Sequence, residues 1–253
     1  MSLFDWIVLI LQKFGLNFLK GTGYTLLMSI IGTLIGFLIG LLIAIVRTVP
    51  AKKNGFSLCV FKVINFILNA YIEIIRGTPM MVQALIIHYS LFAPNHVPPL
   101  LSALIIISVN TGAYMAEIVR GGIISVDKGQ FEGAMSVGMT HMQTMVHVVL
   151  PQAIRNIMPS IGNEFVVNIK DSSVLSVISI TELMFFSKMA GGTYAKYVPA
   201  YIICAVIYFV LTFTVTRILR LIEKKMNGSE NYTICGSQSD SMAEIHVKGD
   251  ANA

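Results

Sequence analysis

Gly21-Thr22-Gly23-Tyr24-Thr25-Leu26-Leu27-Met28-Ser29-Ile30-Ile31-Gly32-Thr33-Leu34-Ile35-Gly36-Phe37-Leu38-Ile39-Gly40-Leu41-Leu42-Ile43-Ala44-Ile45-Val46 runs for 26 residues without Asp, Glu, Lys or Arg. As a helix rising about 1.5 Å per residue it measures about 39 Å. That crosses a hydrocarbon core of about 30 Å with tilt to spare. A helix on a soluble core keeps a charged face toward water; this one has none, so the fold is a membrane fold. The whole chain agrees: of 253 residues 55% are hydrophobic and 12% charged, about half the roughly 25% charge of a soluble domain. A soluble enzyme, a disordered chain and a disulfide-stapled module are excluded. The length suits five or six spans of about 20 residues with their loops. A net charge of +5 fits basic residues gathered in cytoplasmic loops better than nucleic-acid binding.

Working outward, residues 77–116 contain no Asp, Glu, Lys or Arg but are broken by Pro94, Pro98 and Pro99. Residues 197–216 form another uncharged stretch, and Asn156 to Phe186 is apolar but interrupted by Glu164, Lys170, Asp171 and Glu182. Region 57–93 is either one helix kinked at Gly77-Thr78-Pro79 or two spans. The charges favour one. Five crossings put eleven basic residues on one side, from Arg47, Lys52 and Lys53 to Lys224 and Lys225, against four (Lys13, Lys20, Lys188, Lys196) on the other; a sixth crossing erases that bias. The expected division is an extracytoplasmic segment 1–20, a membrane domain 21–222 and a cytoplasmic tail 223–253. From Asn227 the tail reads as disordered.

The N-terminus lacks the basic region and cleavage site of a signal peptide. Cys59, Cys204 and Cys235 make no Cys-x-x-Cys, and His141 and His147 are wrongly spaced to share a metal on a helix. No Gly-x-x-x-x-Gly-Lys-[Ser/Thr] is present, so the chain has no phosphate-binding loop of its own. Gly32, Gly36, Gly40 and Ala44 recur every four residues on one face. Such a face admits a close helix, either from a second subunit or from this one.

The loop between the third and fourth spans, about 125–151, is too patterned for a connector. Phe131, Ala134 and Met135 on one side of Gly138, and Met142, Met145, Val146 and Val149 on the other, have helical spacing. This predicts helix, turn at Gly138, helix on the cytoplasmic face, with Pro151 ending the second helix. Few basic residues line the pair, so it suits a docking protein better than lipid.

Here the residues carry a resemblance. Glu132-Gly133-Ala134, then Gly138, then Val148-Val149-Leu150-Pro151 resembles the Glu-Ala-Ala…Gly…Ile-x-Leu-Pro loop of ABC importer permeases, with Gly133 and Val148 as departures. Three further segments look like the polar amino-acid (histidine/glutamine-type) branch of those binding-protein-dependent inner-membrane proteins. They are Glu73-Ile-Ile-Arg76-Gly77-Thr78-Pro79-Met80-Met81-Val82-Gln83, Ala113 to Ile123, and Gly162-Asn163-Glu164-Phe165 with Lys170-Asp171-Ser172-Ser173. The resemblance covers about residues 15–222. It implies an all-α integral membrane protein of type I importer architecture, with five transmembrane helices and a coupling-helix loop. It implies a second permease subunit, identical or related, two ATPase subunits and an extracytoplasmic solute-binding protein or fused domain. It further implies no cofactor on this chain, with ATP and Mg on the ATPase, and a bacterial cytoplasmic membrane with the N-terminus outside and the C-terminus inside. Glu132, Ala134, Gly138, Leu150 and Pro151 are then the ATPase-coupling residues, and the chain transports an amino acid rather than catalysing a covalent reaction.

Charges inside spans are costly, about 2.5–3.5 kcal/mol each at the bilayer centre, so each needs a reason. Glu73 with Arg76, and Glu117 with Arg120, sit three apart and can neutralise one another within a helix. Glu164, Asn168 and Asp171 fall on one helical face. They suit either a path taking a substrate ammonium group or a bundle ion pair. The substrate-path candidates are Glu164, Asn168, Asp171, Glu73 and Arg76, with His88 and Tyr89 near an outer gate. Glu182 is placed near the outer end. The rival readings are an ion-coupled secondary amino-acid transporter, whose inverted repeats the sequence does not display, and a membrane-embedded enzyme, for which no nucleophile and base are clustered.

Overall fold

The computed structural model describes residues 1–48 and 55–226; the Lys52-Lys53 loop, Cys235 and the tail from Asn227 lie outside the described residues. Helix α1 (Leu3–Thr48) is continuous over 46 residues. Then come α2 (Gly55–Gly77), α3 (Met80–Ile87) prolonged by a π turn over His88–Phe92, and α4 (Pro99–Ser125). Two short helices follow, α5 (Lys128–Ser136) and α6 (His141–Thr144). A π turn over Met145–Val149 leads into α7 (Leu150–Asp171), extended by a 3-10 segment over Ser172–Ile178. Helices α8 (Leu183–Tyr194) and α9 (Tyr197–Met226) complete the order. No strand occurs among the described residues.

Helices α1, α2, α4 and α9 are each long and apolar enough to cross a membrane. A fifth crossing is the bent pair His141–Ile178 and Leu183–Tyr194, with a 53° angle between its halves. The region read as one kinked span resolves into Leu58–Gly77, which is long enough alone, and Met80–Phe92, which is too short. Pro79 lacks an N–H and disfavours helical backbone at Thr78, so the break falls there. Gln83 fastens it: its amide nitrogen reaches the carbonyls of Ile75 at 2.8 Å and Thr78 at 3.0 Å, and its oxygen accepts from Asn110 Nδ2 at 3.0 Å.

The small-residue face of α1 is used inside the subunit. A Cβ at Gly32 would come within 2.8 Å of Ile107, at Gly36 within 2.7 Å of Thr111, and at Gly40 within 2.6 Å of the Ala116 backbone nitrogen. Absent side chains let α1 and α4 touch along their length, and Ala44 ends the seam against Val119 and Ile157. Of the two uses of that face, packing within one subunit is the one realised.

One further point differs from the sequence reading. Pro151 does not end the second cytoplasmic helix; it stands in the first turn of α7. The helical backbone runs unbroken from His141 into α7, and the π turn just before Pro151 widens it so that the missing N–H is accommodated. Helix α1 runs through residue 20 without a break. The first turns of α1 pack Ile10 and Phe18 against Leu183, Ala190, Ala200 and Ile203 of α8 and α9. Near the other end, Arg47 of α1 binds Glu117, which also holds Arg120 at 3.1 Å.

Candidate functional site

Two places on this scaffold concentrate unusual residues. The first is the helix pair between α4 and α7. Asp127 caps α5 by accepting from the Gly129 N–H at 2.7 Å. The chain then reverses at Gly138, whose φ of +86° a side-chain-bearing residue adopts only with strain. Thr140 and Gln143 close a reciprocal capping box at the start of α6. The apolar residues of this pair divide. Ala134, Met145 and Val149 turn inward. Met135, Val137, Met142 and Val146 stay 45%, 78%, 57% and 46% exposed. Glu132 and Pro151 are exposed and Leu150 is half-buried. The result is a rigid turn presenting an apolar patch, the form a docking surface takes.

The second place is inside the bundle, where α1, α2, α4 and α7 meet. Asn168 is buried, donates to Thr33 Oγ1 at 2.8 Å and accepts from Thr111 Oγ1 at 3.0 Å. It ties three helices together from within. Glu164, one turn away, is also buried. Asp171 is half-buried. Glu73 and Arg76 are exposed on α2, and they do not form the expected ion pair. Among the described residues the ion pairs shown are those of Glu117 with Arg47 and Arg120. Arg76 instead lies over the Tyr114 ring, 5.5 Å from its centre, where a planar cation gains from the ring face. Tyr114 also feels the charges of Glu164 and Asp171. One cation from α2, one phenol from α4 and two carboxylates from α7 therefore share a neighbourhood.

Two residues have surroundings that the sequence reading did not describe. Glu182 is fully buried. It caps α8 by accepting from the Met184 and Phe185 N–H groups at 2.7 and 2.6 Å, and from Tyr208 Oη at 2.8 Å. Helix caps are usually Ser, Thr, Asp or Asn, so a Glu in an apolar stretch gives no cap signal. His88 is buried beneath the exposed Tyr89 and does not itself line a surface. Gln83 meets Asn110 and Tyr114 meets Arg76 across 27 and 38 positions of sequence, and spacing along the chain carries no trace of either contact.

Residues 55–228 match the family described as "Binding-protein-dependent transport system inner membrane component". The glutamine transport system permease protein GlnP of Escherichia coli (strain K12) is 34% identical over 165 residues, 64% of this chain and 75% of that protein. The probable glutamine ABC transporter permease protein GlnM of Bacillus subtilis (strain 168) is 31% identical over 84% of this chain and 94% of its own length. A solved amino acid ABC transporter, described as "with histidines", superposes with a TM-score of 0.74 at 38% identity, covering 86% of this chain and 97% of that one. With a bent fifth crossing, a helix pair on Gly138 and a match running through nearly every span, the chain belongs to the binding-protein-dependent transport system inner-membrane family.

Proposed function

We propose that this chain is the membrane-spanning subunit of an ATP-driven ABC importer that moves a polar amino acid across the bacterial cytoplasmic membrane. The observation that carries the coupling half of this reading is the capped, glycine-turned pair α5–α6 with its exposed Met135, Val137, Met142 and Val146. An ATPase subunit docks there, and the coupling residues Glu132, Ala134, Gly138, Leu150 and Pro151 act with that patch, Ala134 from the packed side of the pair. Two ATPase subunits, carrying ATP and Mg, serve two permeases, identical or related. An extracytoplasmic solute-binding protein or fused domain delivers the substrate. The N-terminus lies outside and the C-terminus inside. This chain performs no covalent chemistry. ATP-driven closure of the ATPase pair moves the helix pair as a lever and biases the bundle between inward-facing and outward-facing states.

The substrate class rests on the neighbourhood of Arg76, Tyr114, Glu164 and Asp171 and on relatives named for glutamine. A free amino acid carries a carboxylate, which a guanidinium can hold, and an ammonium group, which a carboxylate can hold. Glu73, Arg76, Glu164 and Asp171 line the passage in this reading, and Asn168 holds its wall. The deciding experiment reconstitutes the purified assembly in vesicles with ATP inside or with an imposed ion gradient. Uptake of radiolabelled glutamine, or another polar amino acid, with ATP alone supports the proposal. Uptake driven by the gradient without ATP transfers the chain to the ion-coupled class.

A further inference from the structure

A groove of about 290 Å³ runs between α7 and α9. Lys170 comes from α7, and Arg217 and Arg220 come from α9; no carboxylate lines it. The two helices are antiparallel here: Lys170 shares the groove with Phe209, while Gly162 lies against Leu219. Side chains on a helix lean toward its N-terminus. Lys170 therefore leans down the groove and Arg217 and Arg220 lean up it, so three cations converge between the helices. Neither arginine takes part in the ion pairs on Glu117. Arg217 lies over the Phe213 ring, 4.9 Å from its centre, which leaves its N–H edge free to face a ligand. Asp171 acts on Lys170 through space, and Glu223 lines only the adjoining groove beyond Arg220.

The rest of the lining fixes the kind of ligand. Thr212 and Thr216 face the groove, but their hydroxyl protons go to the carbonyls of Tyr208 and Thr212 at 2.9 and 2.7 Å. The polar donors are thus the ammonium and two guanidiniums, which suit the oxygens of a phosphate ester. Phe209, Phe213 and Val166 supply an apolar wall alongside, which a free phosphate would leave unused and an acyl chain would cover. Three cations on a membrane-embedded wall also need a counter-charge at that depth. We propose that this groove is a binding site for an anionic phospholipid, its phosphate held by Lys170, Arg217 and Arg220 and its acyl chain along Phe209 and Phe213. Basic pockets between transmembrane helices on the cytoplasmic side are where such headgroups bind. The basic end of α9, continuing to Lys224 and Lys225, places it in that leaflet.

The test uses the complete importer purified in micelles holding equal amounts of phosphatidylglycerol and phosphatidylcholine. Lipid retained after detergent exchange is counted by mass spectrometry. Wild type should retain phosphatidylglycerol in preference to phosphatidylcholine. Arg217→Gln and Lys170→Gln should each weaken that retention about fivefold. Arg217→Lys, which keeps the charge but loses the fork and the stack on Phe213, should lose less retention than Arg217→Gln, and Lys224→Gln, outside the groove, should stay close to wild type. Equal retention of both lipids, or undiminished retention in the two glutamine variants, overturns the proposal. So does displacement of the lipid by millimolar inorganic phosphate, which would make this a free-anion site. Loss of the second permease from the glutamine variants with lipid unchanged also overturns it, and assigns the cations to a protein contact.

Discussion

Asn168 donates to Thr33 Oγ1 at 2.8 Å across 135 positions of sequence, and with Thr111 on its other side it joins α7 to α1 and α4 at a buried point. Asn168→Leu removes both bonds and strands two hydroxyls away from water. It should destabilise the subunit by about 1–3 kcal/mol. Thermal unfolding in detergent, followed by tryptophan-independent thiol labelling of buried Cys204, reads that loss. Unchanged labelling would mean that the network adds no net stability.

The α1–α4 seam makes a sharper contrast. At Gly40 a Cβ meets the backbone of α4, whereas at Gly15 and Gly23 nothing lies within 4 Å. Gly40→Val should force the helices apart at a cost of about 1–3 kcal/mol or more, with loss of folded subunit from membranes. Gly23→Ala should be neutral or stabilise by up to about 1 kcal/mol, since alanine favours helix. Expression level and thermal midpoint of the two variants side by side decide it.

Gly138→Asp places a Cβ on backbone with φ of +86° and should cost about 1 kcal/mol locally. Its larger effect is on the position of α5 against α6. The subunit should insert normally while transport and stimulation of the ATPase are abolished. Ala134→Asp, which puts a charge where 8% of the side chain is exposed, should act alike. Normal stimulation in both variants would remove the pair from coupling.

Glu182 and Glu164 separate stability from transport. Glu182→Ala uncaps α8 and leaves Tyr208 without its acceptor, so it should cost about 2 kcal/mol or more. Glu164→Gln should instead lower uptake or change the preferred amino acid with the fold retained. Uptake assays across several amino acids, paired with thermal midpoints, distinguish the two. Wild-type uptake in both Glu164→Gln and Asp171→Asn would leave these carboxylates a structural role only.

Sidedness can be read with single cysteines in a background lacking the native ones. Asn95 and Gly192 are exposed and should label from outside the cell, while Val137, 78% exposed, should label only after permeabilisation. Labelling of Val137 from outside, with Asn95 labelled only after permeabilisation, would reject the N-outside orientation.

How much was legible in the sequence follows from the range of each interaction. Uncharged length marks a span by itself, so α1, α4 and α9 could be read directly. The turn at Gly138 was legible because glycine, flanking helical spacing and the motif coincide within a few residues. What escaped depends on partners far along the chain. The pairing of Arg76 with Tyr114 rather than Glu73, and the bond that Asn110 donates to Gln83, are choices made only after the helices meet. Pro151 misled because a proline within a helical pattern usually ends it, and the π turn that lets this helix run through has no sequence signature.

Helix α1 has one further consequence. Its 46 residues make a rod of about 69 Å, more than twice the roughly 30 Å of hydrocarbon in a bilayer. Tilts of up to about 40° shorten the mismatch without removing it. A large part of the rod, including Trp6, Lys13 and Lys20, must therefore ride at the headgroup level or above. Because Ile10 and Phe18 clasp α8 and α9 there, a thicker or thinner membrane changes how much of this clasp is wetted. Bilayer thickness thus becomes a mechanical load on the same three helices, and transport rate should vary with acyl-chain length.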